Sequence, residues 1–221
     1  MIISVIIPVF NEEKAIARTL EDLCSRHHPD EVILVDGGSR DQTVNLCTPW
    51  AKVISSDKGR AHQMNTGAQA ASGDVFLFLH ADTLLPPGGL ESIRAQMATG
   101  YQAGRFRLRF DEPKFLLKLF SSYTRFHCFS YGDQGFFVTR TLFEELNGYS
   151  ENVPFEDVDF YKRLRQLTKP VIIRNPVTTS ARRFSANGCL RQKWINLYLM
   201  ALYYAGVDVL SLKKSIYPDL R

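Results

Sequence analysis

The strongest constraint on the fold is a run of five consecutive apolar residues, 75–79, that ends abruptly at His80. A run of this kind, without polar alternation, is typical of a strand buried on both faces, as in the middle of a parallel sheet. His80 and Asp82 lie two residues apart, so in an extended chain their side chains point to the same side. Because ligands of open α/β sheets bind beyond the carboxyl ends of the strands, we expect a binding site here.

The first half of the chain alternates strand and helix patterns. Apolar, β-branched runs predict strands at 2–9, 31–35 and 52–55. Helices are expected from Glu12, with Asn11 as its cap, and over 58–71. The short connections of this βαβαβ order predict a parallel sheet covered by helices.

The second half of the chain has a different pattern of predicted helices and strands. Helices are expected over 90–97, 113–129, 156–167 and 188–212, and strands over 104–110, 136–139 and 171–173. In the strand at 104–110, Phe or Leu alternates with Arg105, Arg107 and Arg109, and we expect these arginines to form one solvated face rather than an anion site.

Composition limits the classes of protein that fit. Hydrophobic residues make up 45% and charged residues 23% of 221, as in a globular chain with a full core. A net charge of +4, spread along the chain, is too weak to indicate nucleic-acid binding. Four scattered cysteines and no signal-peptide pattern favour a reducing, cytoplasmic location. We expect one main domain over 1–185 and a helical tail over 186–221.

Acidic residues follow several of the predicted strands. Asp36 ends the second strand and Asp82 follows the fourth, so both are expected at one edge of the sheet. An acid can accept hydrogen bonds from a base or ribose, and an acid near a diphosphate is explained by a bridging Mg²⁺ or Mn²⁺. The alternative for both aspartates is that they only cap turns.

Five motifs, in order, carry a family resemblance: 4–12, 35–43, 59–67, 80–82 and 155–159. Together they resemble the motifs of family 2 glycosyltransferases, which are inverting GT-A enzymes, over residues 3 to 167. The resemblance implies a Rossmann-like mixed sheet flanked by helices. With the segment 131–135, it points to a small single-domain bacterial subgroup that has a His-Ala-Asp motif.

The resemblance also implies roles for individual residues. The nucleotide-sugar pocket would be formed by Pro8, Phe10, Glu12, Asp36, Arg60, Ala81 and Asp82, with Asp36 on the base and Arg60 near the phosphates. Asp157 would be the catalytic base, with Glu156 beside it. Apart from the resemblance, Asp133 and Gln134 lie between two glycines and are expected beside the donor sugar or the acceptor, with an ordinary turn before a strand as the alternative. Arg183, with Arg182, follows a Thr-Thr-Ser stretch and is expected to fold over the diphosphate, with an ordinary surface position as the alternative.

The metal site departs from the family pattern. His80 stands where the family usually has the first acid of Asp-x-Asp, and Asp82 stands at the second. Histidine can ligate Mn²⁺ but is a poorer ligand than carboxylate for Mg²⁺. We therefore expect Asp82 to ligate Mn²⁺ or Mg²⁺ and leave open whether His80 is a ligand or a hydrogen-bonding neighbour.

The apolar tail allows three placements. Between Trp194 and Leu212 the only formal charge is Asp208, and basic residues flank the segment. A polar residue at mid-span disfavours a helix that crosses a membrane. Packing on the domain, contact with a second subunit as a homodimer, and a peripheral position on the inner face of the membrane all remain open.

The expected function is metal-dependent transfer of a sugar, with inversion, from a UDP- or GDP-linked donor to an acceptor hydroxyl. A nucleotidyltransferase is the second candidate, although residues 8–12 lack the glycine-rich phosphate loop such enzymes carry. A dehydrogenase is disfavoured because no Gly-x-Gly-x-x-Gly follows the first strand. A degenerate nucleotide-sugar-binding module is the third candidate, and His80 is the feature that keeps it open.

Overall fold

The computed structural model describes residues 1–209 and 212 and contains a mixed α/β fold. Its strands are β1 (Ile3–Val9), β2 (Glu31–Asp36), β3 (Lys52–Ser55), β4 (Val75–Phe78), β5 (Thr83–Leu84), β6 (Ala103–Phe110), β7 (Phe136–Thr139) and β8 (Val171–Thr179). Its helices are α1 (Ile16–His27), α2 (Thr43–Cys47), α3 (Arg60–Ala70), α4 (Gly89–Ala98), α5 (Phe115–Ser122), α6 (Arg140–Glu145), α7 (Glu156–Leu167), α8 (Arg182–Asn187) and α9 (Cys189–Tyr204).

The eight strands form one sheet in the order β3-β2-β1-β4-β7-β6-β8-β5. Strands β1 to β4 pair in parallel, whereas β7 runs antiparallel to both β4 and β6. Strand β8 pairs in parallel with β6 and bulges between Phe106 and Arg107. The predicted mixed sheet is confirmed, and its parallel half is the βαβ part of the sequence.

The sheet is buried on both faces. Leu77 of β4 packs on one side with residues of α1 and α4. Its neighbours Phe76 and Phe78 pack on the other side with residues of α3, α6 and α7. All three are at most 2% exposed, which confirms that the run of apolar residues is a central strand.

Helix α3 lies close to the sheet because of one glycine. A Cβ at Gly67 would lie 2.4 Å from Cγ2 of Ile6 and 3.0 Å from Cγ2 of Val35. The backbone of α3 can therefore approach β1 and β2 only where no side chain intervenes. This contact fixes the first turn of α3, with Arg60, beside the strand ends.

The expected cap of the first helix is wrong. Asn11 has a left-handed φ of 52° and lies before the helix, which begins at Ile16. Its Oδ1 accepts the backbone N–H of Arg40 at 2.9 Å, so it holds the β1 and β2 loops together. Asparagine tolerates this conformation, and a local hydrogen bond replaces the cap.

The expectation that the β6 arginines form one solvated face is also wrong. Arg105 is fully buried, Arg107 is partly buried and only Arg109 is exposed. The Arg105 guanidinium donates to Ser130 Oγ at 3.0 Å, to the Thr124 carbonyl at 2.8 Å and to the Phe126 carbonyl at 2.9 Å. The segment after α5 covers this part of β6 and supplies the acceptors.

Other elements differ from expectation by two residues or more at one end. The helix expected over 113–129 is α5 followed by a 3₁₀ turn, Tyr123–Arg125. The strand expected over 171–173 continues to Thr179 through the bulge. Helix α3 begins at Arg60, two residues later than expected.

The described part of the tail contains the end of α8 and all of α9. Helix α9 buries Gln192 and Leu199, and Lys193 Nζ lies 5.0 Å from the ring centre of Phe120 in α5. The helix expected over 188–212 ends earlier, at Tyr204, and 210 and 211 lie outside the described residues. In the described chain no helix has the length and apolar character needed to span a bilayer.

Candidate functional site

A cavity of about 970 Å³ lies at the edge of the sheet where the parallel strands end. The residues after β1, β3, β4 and β8 line it, together with the turn before β7 and the start of α7. It contains most of the expected site residues: Pro8, Phe10, Glu12, Arg60, His80, Ala81, Asp82, Asp133, Glu156, Asp157 and Arg183. The described lining does not include Asp36 or Gln134.

One arginine joins two of the strand-end carboxylates. Arg182, the first residue of α8, lies with Nη2 2.9 Å from Oδ2 of Asp82. The same guanidinium donates to both carboxylate oxygens of Glu12, each at 3.0 Å. Burial raises the pKa of Glu12 to about 7, and the positive charge of Arg182 opposes this rise. A fixed cation therefore spans the ends of β1 and β4.

The side chains of His80 and Asp157 both lie close to Gly132. A Cβ at Gly132 would lie 3.1 Å from His80 Nε2 and 3.1 Å from Asp157 Oδ2. The Gly132 N–H donates to Asp157 Oδ2, while Oδ1 accepts the N–H of Val158 at 2.9 Å. Two backbone N–H groups therefore orient the Asp157 carboxylate, which lies at the start of α7.

The His80 imidazole is neutral near pH 7. Burial, together with the positive charges of Arg60, Arg183 and Arg182, holds the pKa of His80 well below its usual range. A neutral imidazole has one nitrogen with a lone pair, so it can accept a hydrogen bond or bind a metal ion.

Asp133, like Glu12, is an acid of the cavity whose pKa is raised. Burial raises the pKa of Asp133 to about 7, and the nearby Asp157 carboxylate raises it further. Its buried Oδ1 has no hydrogen-bond partner among the described residues. An unpaired buried oxygen beside an open cavity is suited to a donor or a cation from a ligand.

Gln134 and Asp36 make hydrogen bonds that hold local structure together. Gln134 is fully buried, and its Nε2 donates to the Phe129 carbonyl at 2.9 Å. The Asp36 carboxylate accepts the N–H groups of Gly38 and Ser39 at 3.1 Å each, and so caps the turn after β2. This is the arrangement that the alternative for Asp36 predicts.

Two further cations, Arg60 and Lys58, border the cavity. Arg60 Nη1 donates to Glu156 Oε1 at 3.3 Å, which joins α3 to the start of α7. Lys58 Nζ lies 4.1 Å from the ring centre of Phe10, in a cation–π contact. Lys58 was not expected in the site. The strand-end rule could have found it, because it follows β3 closely.

The described residues contain no group of three or more His, Cys, Asp or Glu side chains that could hold a metal ion alone. A magnesium ion commonly uses one or two carboxylates and takes its other ligands from substrate phosphates and water. Asp82, whose side chain is 15% exposed, and the unpaired oxygen of Asp133 suit that smaller donor set.

The sheet and the charged groups at its carboxyl edge define a class of α/β enzyme that binds its substrate at the strand ends. The family model of glycosyl transferase family 2 matches residues 4–190. The chain therefore belongs to glycosyl transferase family 2. The resemblance inferred from the five motifs is confirmed.

Curated relatives match about half of the chain. An undecaprenyl-phosphate 4-deoxy-4-formamido-L-arabinose transferase of Pseudomonas fluorescens is 31% identical over 112 residues, 45% of this chain and 33% of the relative. The transferase of the same name from Pectobacterium carotovorum is 35% identical over 112 residues, 45% of this chain and 34% of the relative. The chain spans about a third of the length of these relatives.

Solved structures share the fold over most of the chain. Residues 1–349 of Staphylococcus aureus TarS, in complex with UDP-GlcNAc, superpose with a TM-score of 0.67 at 18% identity, covering 81% of this chain and 58% of that TarS chain. The mannosyltransferase PcManGT of Pyrobaculum calidifontis, with GDP-Man and Mn²⁺, gives a TM-score of 0.63 at 22% identity, covering 80% and 56%. These similarities confirm the GT-A fold.

Proposed function

We propose that this glycosyltransferase moves a sugar, with inversion, from a UDP- or GDP-linked donor to an acceptor hydroxyl, and that it needs Mn²⁺ or Mg²⁺. The observation that carries the proposal is one cavity in which Asp82 and Asp157 come together with the cations Arg60 and Arg182. Structures of similar fold hold UDP-GlcNAc in one case and GDP-Man with Mn²⁺ in another.

The donor would lie along the strand ends. Pro8, Phe10 and Glu12 would border the nucleoside, and Arg60 would lie near the phosphates. The Arg182 guanidinium, already bound to two carboxylates, has the planar geometry that pairs with phosphate oxygens, and Arg183 follows it into the same cavity. Asp36 could reach the base only after giving up the turn that it caps.

A divalent ion would be held by Asp82 together with oxygens of the diphosphate, with Asp133 and the neutral His80 nearby. When bound, the ion would neutralise charge on the departing diphosphate. The unpaired oxygen of Asp133 supports a polar or cationic ligand at this point. His80 suits Mn²⁺ better than Mg²⁺, because imidazole is a softer ligand than carboxylate.

Asp157 would act as the base. The acceptor oxygen attacks the anomeric carbon as the bond to the diphosphate breaks, and its proton passes to the Asp157 carboxylate. Two backbone N–H groups, from Gly132 and Val158, hold that carboxylate in place. Glu156 is held by Arg60 and would support the start of α7 rather than take the proton.

A second acceptor class has specific support. The curated relatives are named for undecaprenyl phosphate, and apolar side chains of Phe110, Phe120 and Met200 line part of the cavity. A polyprenyl phosphate would attack through an ionised phosphate oxygen and would need no base. Loss of activity in Asp157→Asn therefore separates a hydroxyl acceptor from a phosphate acceptor.

Donor binding tests the proposal. Thermal unfolding is followed with UDP, GDP and their sugars, with and without Mn²⁺, for the wild type and for Asp82→Asn. The proposal predicts a rise in Tm that needs Mn²⁺ and is lost in Asp82→Asn but kept in Asp74→Asn, where the aspartate lies before β4, at the other end of the strand. No rise with any nucleotide would contradict it.

Several other expectations from the sequence remain predictions. A nucleotidyltransferase and a non-catalytic binding module would each bind nucleotide but would release no nucleoside diphosphate from a nucleotide sugar. A cytoplasmic location, a homodimer, the division into 1–185 and 186–221, and the role of Gln134 beside the sugar or acceptor also stay predictions.

A further inference from the structure

Helix α9 presents an apolar face that the described part of the chain does not cover. Leu190, Trp194 and Tyr198 follow one another at spacings of four residues and are 58%, 70% and 58% exposed. Leu197, on the same side of the helix, is also exposed. Three or four large apolar side chains on one helical face form a contiguous patch, and such a patch marks an interaction surface.

A second apolar stripe lies on the neighbouring helix α5 and the turn after it. Phe115 is 78% exposed, and Leu119, Tyr123 and Phe126 follow it at helical spacing and are exposed as well. Helices α5 and α9 touch through Lys193 and Phe120, whose ring centre lies 5.0 Å from Lys193 Nζ. Each of these two residues adjoins a stripe residue in the chain, Lys193 next to Trp194 and Phe120 next to Leu119. We call the two helices together the α5–α9 face, residues 113–130 and 188–204.

The α5–α9 face is predominantly basic, although Glu112 at its border pairs with Lys114 at 2.7 Å. Its sequence contains five Lys or Arg residues and no Asp or Glu: Lys114, Lys118, Arg125, Arg191 and Lys193. Exposed Trp, Tyr and Phe among basic residues are the composition of segments that lie in the headgroup region of a membrane.

We propose that the α5–α9 face docks on the surface of an anionic lipid bilayer. A second copy of the chain fits less well, because a two-fold contact would bring the same basic patches of both subunits together. An anionic bilayer complements both the charge and the apolar side chains of this face.

The position of the face relates it to the cavity. Phe120 of α5 and Leu197 of α9 both line the cavity that holds Asp82 and Asp157. A bilayer against the α5–α9 face would therefore lie at the entrance of that cavity, where a lipid-linked acceptor would enter. This last step rests on the proposed function, whereas docking itself does not need sugar transfer.

Vesicle binding tests the proposal with the whole protein. The chain has two tryptophans, so Trp50→Phe leaves Trp194 as the only one. We expect Trp194 emission to shift to shorter wavelength, and the protein to float, with vesicles of phosphatidylcholine and phosphatidylglycerol but not of phosphatidylcholine alone. Replacing Lys118 and Arg125 by Gln should weaken partitioning by about fivefold for each charge removed.

Trp194→Gln should also abolish flotation, whereas Trp50→Gln should not. Trp50 is the matched control, since it is a partly exposed tryptophan that precedes β3 and so lies at the opposite edge of the sheet from the cavity. Failure of the wild type to float, equal loss in both tryptophan variants, or a Trp194 shift caused by protein concentration without vesicles would overturn the proposal. Donor-dependent thermal shifts on the same samples report the proposed function separately.

Discussion

Arg182 and Asp82 form an ion pair at 2.9 Å, although 100 positions separate them in the chain. The same arginine holds Glu12, which is only 5% exposed. The carboxylate proposed to bind the metal is therefore paired with a cation before any donor arrives. Donor binding would have to exchange this pair for one between Arg182 and phosphate, with Asp82 released towards the ion.

Replacing Arg182 by Gln should weaken donor binding. A hydrogen bond to a charged group is worth about 1.5–3 kcal/mol, so the affinity for UDP or GDP should fall roughly 10- to 100-fold. Calorimetric titration measures this loss. Arg109→Gln is the control, since Arg109 is exposed on β6 and outside the cavity lining. Equal affinity in the Arg182 variant and the wild type would show that Arg182 does not contact the donor.

Replacing Gly132 by Ala should lower turnover more than stability. The added Cβ would lie 3.1 Å from both His80 Nε2 and Asp157 Oδ2, so one of these side chains must move by a few tenths of an ångström. Displacement on this scale at a reacting carboxylate can cost about 10²-fold in rate. Initial rates beside thermal melts measure the two effects. A variant with wild-type rates would show that the positions of His80 and Asp157 are not critical.

Replacing Arg105 by Met should destabilise the fold. Its loss leaves the buried Thr124 carbonyl and the partly buried Phe126 carbonyl without their donor, at about 1–3 kcal/mol for each group. Urea unfolding should therefore show a total loss of roughly 2–6 kcal/mol. The same substitution at exposed Arg109 on the same strand should stay within about 0.5 kcal/mol. Similar midpoints for the two variants would contradict the buried network.

Asp30 should contribute to stability at neutral pH and lose this contribution in acid. The hydrogen bond from the Ile3 N–H lowers the pKa of Asp30, and the hydrogen bond and positive charge of Arg94 lower it further. A lowered folded-state pKa means that the stabilisation is complete above the unfolded value of about 3.9 and disappears as pH falls through the folded value. Asp30→Asn should therefore be less stable than the wild type at pH 7, by about 1 kcal/mol or less, and equal to it at the acid limit.

Urea midpoints across the acid range measure this difference. Glu21→Gln, which removes a negative charge from an exposed position on α1, is the control and should follow the wild type. A difference between Asp30→Asn and the wild type that does not change with pH would contradict the assignment.

Elements with a complete local pattern could be predicted from the sequence. The strands Lys52–Ser55 and Phe136–Thr139 and the helix Glu156–Leu167 match their expected bounds. In each, the apolar residues follow the spacing of one type of element, strand or helix, and a polar residue or a turn lies at its ends. The gathering of Glu12, His80 and Asp82 at one edge followed from the strand-end rule, which needs only strand order.

Features that depend on distant partners could not be predicted in this way. The alternation in β6 indicates two faces but does not say that residues 124–130 cover Arg105. The pairing of Arg182 with Asp82 requires that β5, the two-residue strand that follows Asp82, pair with the end of β8. Asn11 fits the local pattern of a helix cap, yet a hydrogen bond from Arg40 fixes a left-handed turn instead.

The central claim is that Asp157 takes the proton of the acceptor while Asp82 serves the donor. Release of nucleoside diphosphate from a nucleotide sugar, in wild type and Asp157→Asn at saturating Mn²⁺ and donor, tests it most directly. We predict a rate about 10²- to 10⁴-fold lower in Asp157→Asn, with the donor-induced thermal shift unchanged. Asp159→Asn, on the same helix and paired with Arg163, should keep its rate. An Asp157→Asn rate close to that of the wild type would contradict the claim.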